Sequence, residues 1–162
     1  MLMGITFYVS HNSRYFLGLE GREAFLMREN RDIWRTRIPF TNFQIAGVGN
    51  LGRVVVRAEE GVFRAEPAPV PKFEEIPIFG SSVLKQENAH LGRVVLNATG
   101  DRLMVEKISR KSKLGDKIIK MISSSPVQKG QFIHDLVLYS LESKKRVLVF
   151  RSSADRRLPH AF

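Results

Sequence analysis

The sequence predicts a mostly β protein with one or two short helices, folded as a single antiparallel barrel or sandwich. Two patterns carry that prediction. Most apolar runs are short, rich in Val, Phe, Ile and Leu, and bounded by Gly, Asn, Ser or Pro, the mark of strands joined by turns. In addition, Leu51-Gly52-Arg53-Val54-Val55 recurs forty residues later as Leu91-Gly92-Arg93-Val94-Val95, and both copies run into a polar turn and a second strand. Two similar hairpins, 51–66 and 91–106, are the simplest reading, since sandwiches and barrels are commonly built from repeated strand pairs. The length of 162 residues and the 43% apolar content suit one self-sufficient core.

Taken in order, the strands are expected at Thr6 to Ser10, Tyr15 to Glu20, Glu23 to Arg28, Asn42 to Ala46, Arg53 to Ala58, Val62 to Glu66, Arg93 to Asn97, Arg102 to Ile108, Asp135 to Leu141 and Arg146 to Arg151. Between the two hairpins, residues 66–77 contain prolines at 67, 69, 71 and 77. Proline fixes φ and removes a backbone donor, so this stretch is expected to be an extended loop or an edge. Leu114, Ile118, Met121 and Ile122 fall on one helical face with Lys113, Lys117 and Lys120 beside it, which predicts a short basic amphipathic helix. The apolar runs Leu136 to Tyr139 and Val147 to Phe150 do not alternate cleanly, so both faces of that last hairpin are expected to be covered. The domain is placed at 1–151, followed by a polar tail at 152–162.

Charge is the least ordinary property. The chain has 26 Lys and Arg against 16 Asp and Glu, a net charge of +10. An excess of this size attracts phosphate on lipid headgroups or on nucleic acid. There is no Cys, so disulfides and thiolate metal sites are excluded. The first residues lack the basic start and apolar run of a secretory leader, and nowhere do eighteen apolar residues follow one another. A cytoplasmic place is expected, at a membrane periphery or in the nucleus.

Catalytic signatures are weak. Gly47-Val48-Gly49-Asn50-Leu51-Gly52 has the glycine spacing of a dinucleotide turn, but such a turn must open a helix, and here a strand follows. These glycines read as a hairpin turn. His11, His90, His134 and His160 lack zinc-helix spacing, and no Gly-x-Ser-x-Gly elbow occurs. Trp34 precedes Arg35 and Arg37, a pattern that serves either base stacking or a core anchor.

Tyr15-Phe16-Leu17-Gly18-Leu19-Glu20 with Ala24-Phe25-Leu26-Met27-Arg28, and the run from Leu91 to Val105, resemble tubby-like domains, a superfamily that includes phospholipid scramblases. The resemblance implies a closed β-barrel around a central helix that docks on phosphoinositide headgroups. It puts Arg93 where the family has a lipid-binding lysine, and Val95 where it has an arginine. A second resemblance, carried by the run from Phe7 to Leu17 and by the forty-residue offset, is to fascin-like β-trefoils, which need three copies of a unit.

The expectation is a non-catalytic module without cofactor or metal, whose Arg53, Arg93, Arg110, Lys111, Lys113, Lys117 and Lys120 hold anionic phosphate, phosphoinositide or anionic membrane first. The alternatives are a nucleic-acid-binding or ribonucleoprotein component, or a viral or cytoskeletal structural assembly protein. A protein partner could also engage the Pro-rich loop or an edge strand.

Overall fold

A computed structural model describes residues 4–79, 81–86, 88–110 and 132–152. Among the described residues twelve strands form three antiparallel sheets of four, each made by a consecutive part of the chain, and one six-residue helix joins the second to the third. The first contains β1 (Thr6–Val9), β2 (Tyr15–Glu20), β3 (Glu23–Arg28) and β4 (Arg31–Arg37). The second contains β5 (Phe43–Val48), β6 (Val54–Ala58), β7 (Val62–Ala65) and β8 (Glu74–Glu75). The helix α1 (Ser81–Gln86) leads into the third, formed by β9 (Ala89–Leu96), β10 (Arg102–Arg110), β11 (Phe132–Ser140) and β12 (Arg146–Ser152). In every sheet, neighbours in sequence are neighbours in space. The mostly β, antiparallel expectation holds, and among the described residues no hydrogen bonding closes a sheet into a barrel.

Local chemistry sets the hairpins. Glu29 and Asn30, between β3 and β4, have φ of 50° and 64°, the left-handed pair that a two-residue hairpin turn requires. Strand β4 was not expected because four of its seven residues are charged. Only Trp34 is fully buried there, so the apolar pattern that marks a strand is too thin to see. The Pro-rich stretch is a loop that ends in the two-residue edge strand β8, as expected. The candidate helix at 114–122 lies outside the described residues.

The pentapeptide repeat does not mark equivalent positions. Leu51-Gly52 belong to a turn and Val54-Val55 open β6, whereas Leu91 to Val95 all lie inside β9. The recurrence that the fold uses is a turn, and it joins the first two strands of each sheet. The N–H groups of Ser10, Gly49 and Asn97 donate to the carbonyls of Tyr15, Arg53 and Arg102 at 3.0, 2.8 and 3.0 Å. The N–H groups of Ser13, Gly52 and Gly100 return to the carbonyls of Ser10, Gly49 and Asn97 at 2.9, 2.9 and 3.1 Å. The residue making this return bond has positive φ in each copy: 58° at Ser13, 86° at Gly52 and 81° at Gly100. Each of the three four-stranded units thus begins with the same kind of turn.

The three turns also touch one another. Asn12 donates from its backbone to Asn50 Oδ1 at 2.9 Å and from Nδ2 to the Asn50 carbonyl at 3.1 Å. A Cβ on Gly100 would stand 2.7 Å from the Cα of Gly49, and one on Gly52 would stand 2.5 Å from the Tyr15 ring. Within the third turn, Asn97 Oδ1 accepts from the N–H groups of Gly100, Asp101 and Arg102 at 3.1, 3.1 and 2.9 Å.

Two apolar clusters make the interior. One gathers Tyr15, Leu17, Leu26, Trp34 and Ile38 with Val54 and Val56; the other gathers Leu103, Val105, Val137 and Tyr139 with Val55, Val62 and Ile78. Strand β6 serves both by alternation. The covered last hairpin expected from the sequence is corrected: β11 buries Asp135, Val137 and Tyr139, but β12 is an edge whose apolar residues are all exposed. An apolar run without alternation describes a strand covered on both faces or on neither, and only the neighbours decide which.

Replacing Gly100 with Ala adds a Cβ against immovable backbone at a left-handed φ, so it is expected to cost about 2–4 kcal/mol. Thermal unfolding should show a fall in Tm of roughly 4–16 °C.

Candidate anion-binding surface

Of the seven cations singled out, Arg53, Arg93 and Arg110 lie among the described residues, and Lys111, Lys113, Lys117 and Lys120 lie outside them. Arg53 is tied into the turn cluster. Its Nε donates to Glu66 Oε1 at 2.6 Å and its Nη1 to the Gly100 carbonyl at 3.2 Å. A guanidinium held by a carboxylate and a carbonyl has little left to offer an incoming phosphate.

Arg93 and Arg110 are different. Both are exposed, on β9 and at the end of β10, and neither guanidinium has an ion-pair partner among the described residues. Their strands are adjacent, and a rise of about 3.3 Å per residue places them about 15 Å apart on one sheet. Arg53, beside the turn that starts β10, is more than about 25 Å from Arg110 by the same measure. Of the three described cations, Arg53 is thus tied into the framework by Glu66 and the Gly100 carbonyl, while Arg93 and Arg110 share a surface. The sequence could not separate them, because it does not show which cation faces a carboxylate.

Between these two cations the carboxylate of Glu106 is already engaged. Its Oε1 lies 3.0 Å from His134 Nδ1, and its Oε2 accepts from the backbone N–H of Arg93 at 3.2 Å. Glycine at 92 makes this possible, since a Cβ there would come within 2.5 Å of Glu106 Oε2. Opposite Arg110 in the ladder stands Phe132, 38% exposed.

Behind this face lies a second charged group that the sequence reading missed. Lys107, Asp135 and Arg151 sit in one row across β10, β11 and β12. Asp135 is only 3% exposed; Arg151 grips it with two bonds of 2.7 and 2.9 Å, and Lys107 Nζ lies 3.7 Å away. Lys107, itself 8% exposed, also lies over the Phe79 ring at 5.3 Å. The Arg151 bonds, with the two cations nearby, hold the Asp135 carboxyl below its ordinary value despite burial. A signal was available: period two puts Lys107 on the face of Leu103 and Val105, and Asp135 on the face of Val137 and Tyr139. Two opposite charges on inward positions of paired strands announce each other.

Other expectations resolve more simply. Trp34 is buried in the first cluster, so it is a core anchor and presents no stacking face. Gly49 to Arg53 form the hairpin turn expected of the glycine-rich run. A cleft of about 660 Å³ beside α1 is lined by Arg57, Glu59, Glu60, Lys85 and His90, and charges of both signs leave it without a single-sign field. Arg57 is further occupied by a 2.6 Å bond to the Leu91 carbonyl. Among the described residues no helix is long and apolar enough to cross a membrane. No family model and no curated protein matches the chain.

Asp135→Asn leaves Lys107 buried opposite a neutral amide, and is expected to cost about 3–5 kcal/mol at pH 7. The Asp135 carboxyl titrates lower in the folded chain than in the unfolded one, so its contribution is complete above the unfolded value, near 4, and is lost as pH falls through the folded one. Urea unfolding of both proteins at pH 7 and pH 3 should show the gap narrowing in acid.

Proposed function

We propose that this protein is a non-catalytic binding module that engages phosphate-bearing anionic surfaces, lipid headgroups first, through the outer face of its third sheet. The observation that carries the reading is the exposure of Arg93 and Arg110 on adjacent strands without an acidic partner among the described residues. The chain also continues directly from Arg110 into residues 111–131, which contain five lysines and a single aspartate. Each cation near an anionic leaflet contributes about 1 kcal/mol, so several acting together give a salt-sensitive affinity. The reading rests on these cations and on neither family resemblance.

One observation favours nucleic acid as a second reading. Phe132, opposite Arg110, offers an aromatic face beside a cation, the pairing that stacks unpaired bases.

Vesicle flotation tests the proposal. Anionic vesicles should bind and neutral ones should not, with binding lost at high salt. The double variant Arg93→Ala, Arg110→Ala should weaken binding by roughly 30-fold, at about fivefold per cation. Arg53→Ala should leave binding unchanged while lowering stability. Equal binding to both kinds of vesicle would sink the lipid reading, and a single-stranded RNA that binds more tightly than the vesicles would replace it with the second.

A further inference from the structure

The three sheets have six edge strands, and five of them are protected. Edge β4 carries Arg31, Asp32, Arg35 and Arg37, and edge β8 consists of two glutamates. Charge of this kind keeps foreign strands from pairing. Edges β5 and β9 face each other inside the molecule, and the short β1 packs against β5. Edge β12 has no such cover among the described residues: seven residues long, it exposes Val147, Leu148, Val149 and Phe150 at 60, 50, 53 and 45%. Its outer backbone has no strand beside it among the described residues.

We infer that β12 is a docking edge for an extended segment of another protein, apolar through its middle and acidic at its C-terminal end. The charge around β12 selects this occupant. Lys144 and Lys145, exposed in the turn before the strand, have no ion pair among the described residues. Arg146 follows them, its guanidinium held by the Ile78 carbonyl at 3.0 Å and lying 5.1 Å from the Phe79 ring. An antiparallel partner, the commoner pairing, brings its C-terminal end beside these lysines. A second copy of the chain is disfavoured, because a net charge of +10 repels itself and β12 paired with itself sets Arg146 against Arg151. Main-chain bonds along the edge supply affinity, and the exposed valines, leucine and phenylalanine supply the apolar contact that selects side chains. This edge is at the other side of the third sheet from Arg93, and the inference uses neither Arg93 nor Arg110.

The test is selection of a displayed library of random ten-residue peptides against the full chain, followed by titration of the synthetic winners. The winners should share alternating β-branched or apolar residues with Asp or Glu at the C-terminal end. Lys144→Glu with Lys145→Glu, both on an exposed turn, should weaken the winners more than tenfold and favour peptides whose acidic end is exchanged for lysine. Val149→Pro should abolish binding; Val149 is unpaired with β11, at the register shift between Leu136 and Val137, a position that tolerates proline. Circular dichroism checks the fold of each variant. The inference is overturned by a library with no winners, by winners without an acidic end, or by winners that bind the lysine-to-glutamate variant equally well. Sedimentation that shows the chain alone to be a dimer lost on Val149→Pro would overturn it in favour of a second copy.

Discussion

Burial of β6 on both faces is the constraint on which the rest of this fold depends. Val54, Val55 and Val56 have no exposed surface, and because strand side chains alternate, two of them feed one apolar cluster while the third feeds the other. Neither the first sheet nor the third could bury its inner face against water, and the middle sheet gives each a surface to pack on. The β-branched shape suits this place, since a valine fills a pleated surface with a single stiff rotamer. The consequence for function is indirect: apart from the buried Lys107 and Asp135 of the third sheet, the charged side chains described above lie on outer faces and edges, where they meet partners.

The turn cluster does a different job. Packing around β6 is a contact of side chains, whereas the meeting of Gly49 and Gly100 is a contact of backbone with backbone, and Asn12 and Asn50 lock the first turn to the second. These contacts fix the order of the three units around one another. They also absorb Arg53, whose bonds to Glu66 and to the Gly100 carbonyl make it part of the framework. A cation in a strongly basic chain is thus not evidence of a binding site until its partners are known. Arg93 passes that test and Arg53 does not.

Much of the fold was legible in the sequence, and the reasons for the exceptions are specific. Ten strands announce themselves by short apolar runs between turn residues, but β4 hides among its charges and β8 is only two glutamates long. The repeat of Leu-Gly-Arg-Val-Val drew attention to identical letters, whereas the true recurrence is conformational. Ser10 and Asn97 each accept the backbone N–H five residues on with a side-chain oxygen, Gly49 has none to offer, and Ser13 adopts the left-handed φ that glycine takes in the other two copies. The inward charges of Lys107 and Asp135 could have been found from alternation alone. The exposure of β12 could not, because four consecutive apolar residues suit a central strand as well as an open one.

The manner in which β12 is attached has its own consequence. Every apolar side chain it owns faces water, so it is fastened by ladder bonds to β11, by the grip of Arg151 on Asp135 and by Arg146, which bonds the Ile78 carbonyl and lies over the Phe79 ring. A strand with no apolar anchor gives up little when it peels away, and belongs with the parts of a protein that open at a fraction of the global unfolding energy. The last strand is therefore a latch closed by polar contacts on a body closed by apolar ones, and the two respond to different solvents: acid loosens the latch, while cold and chaotropes loosen the body.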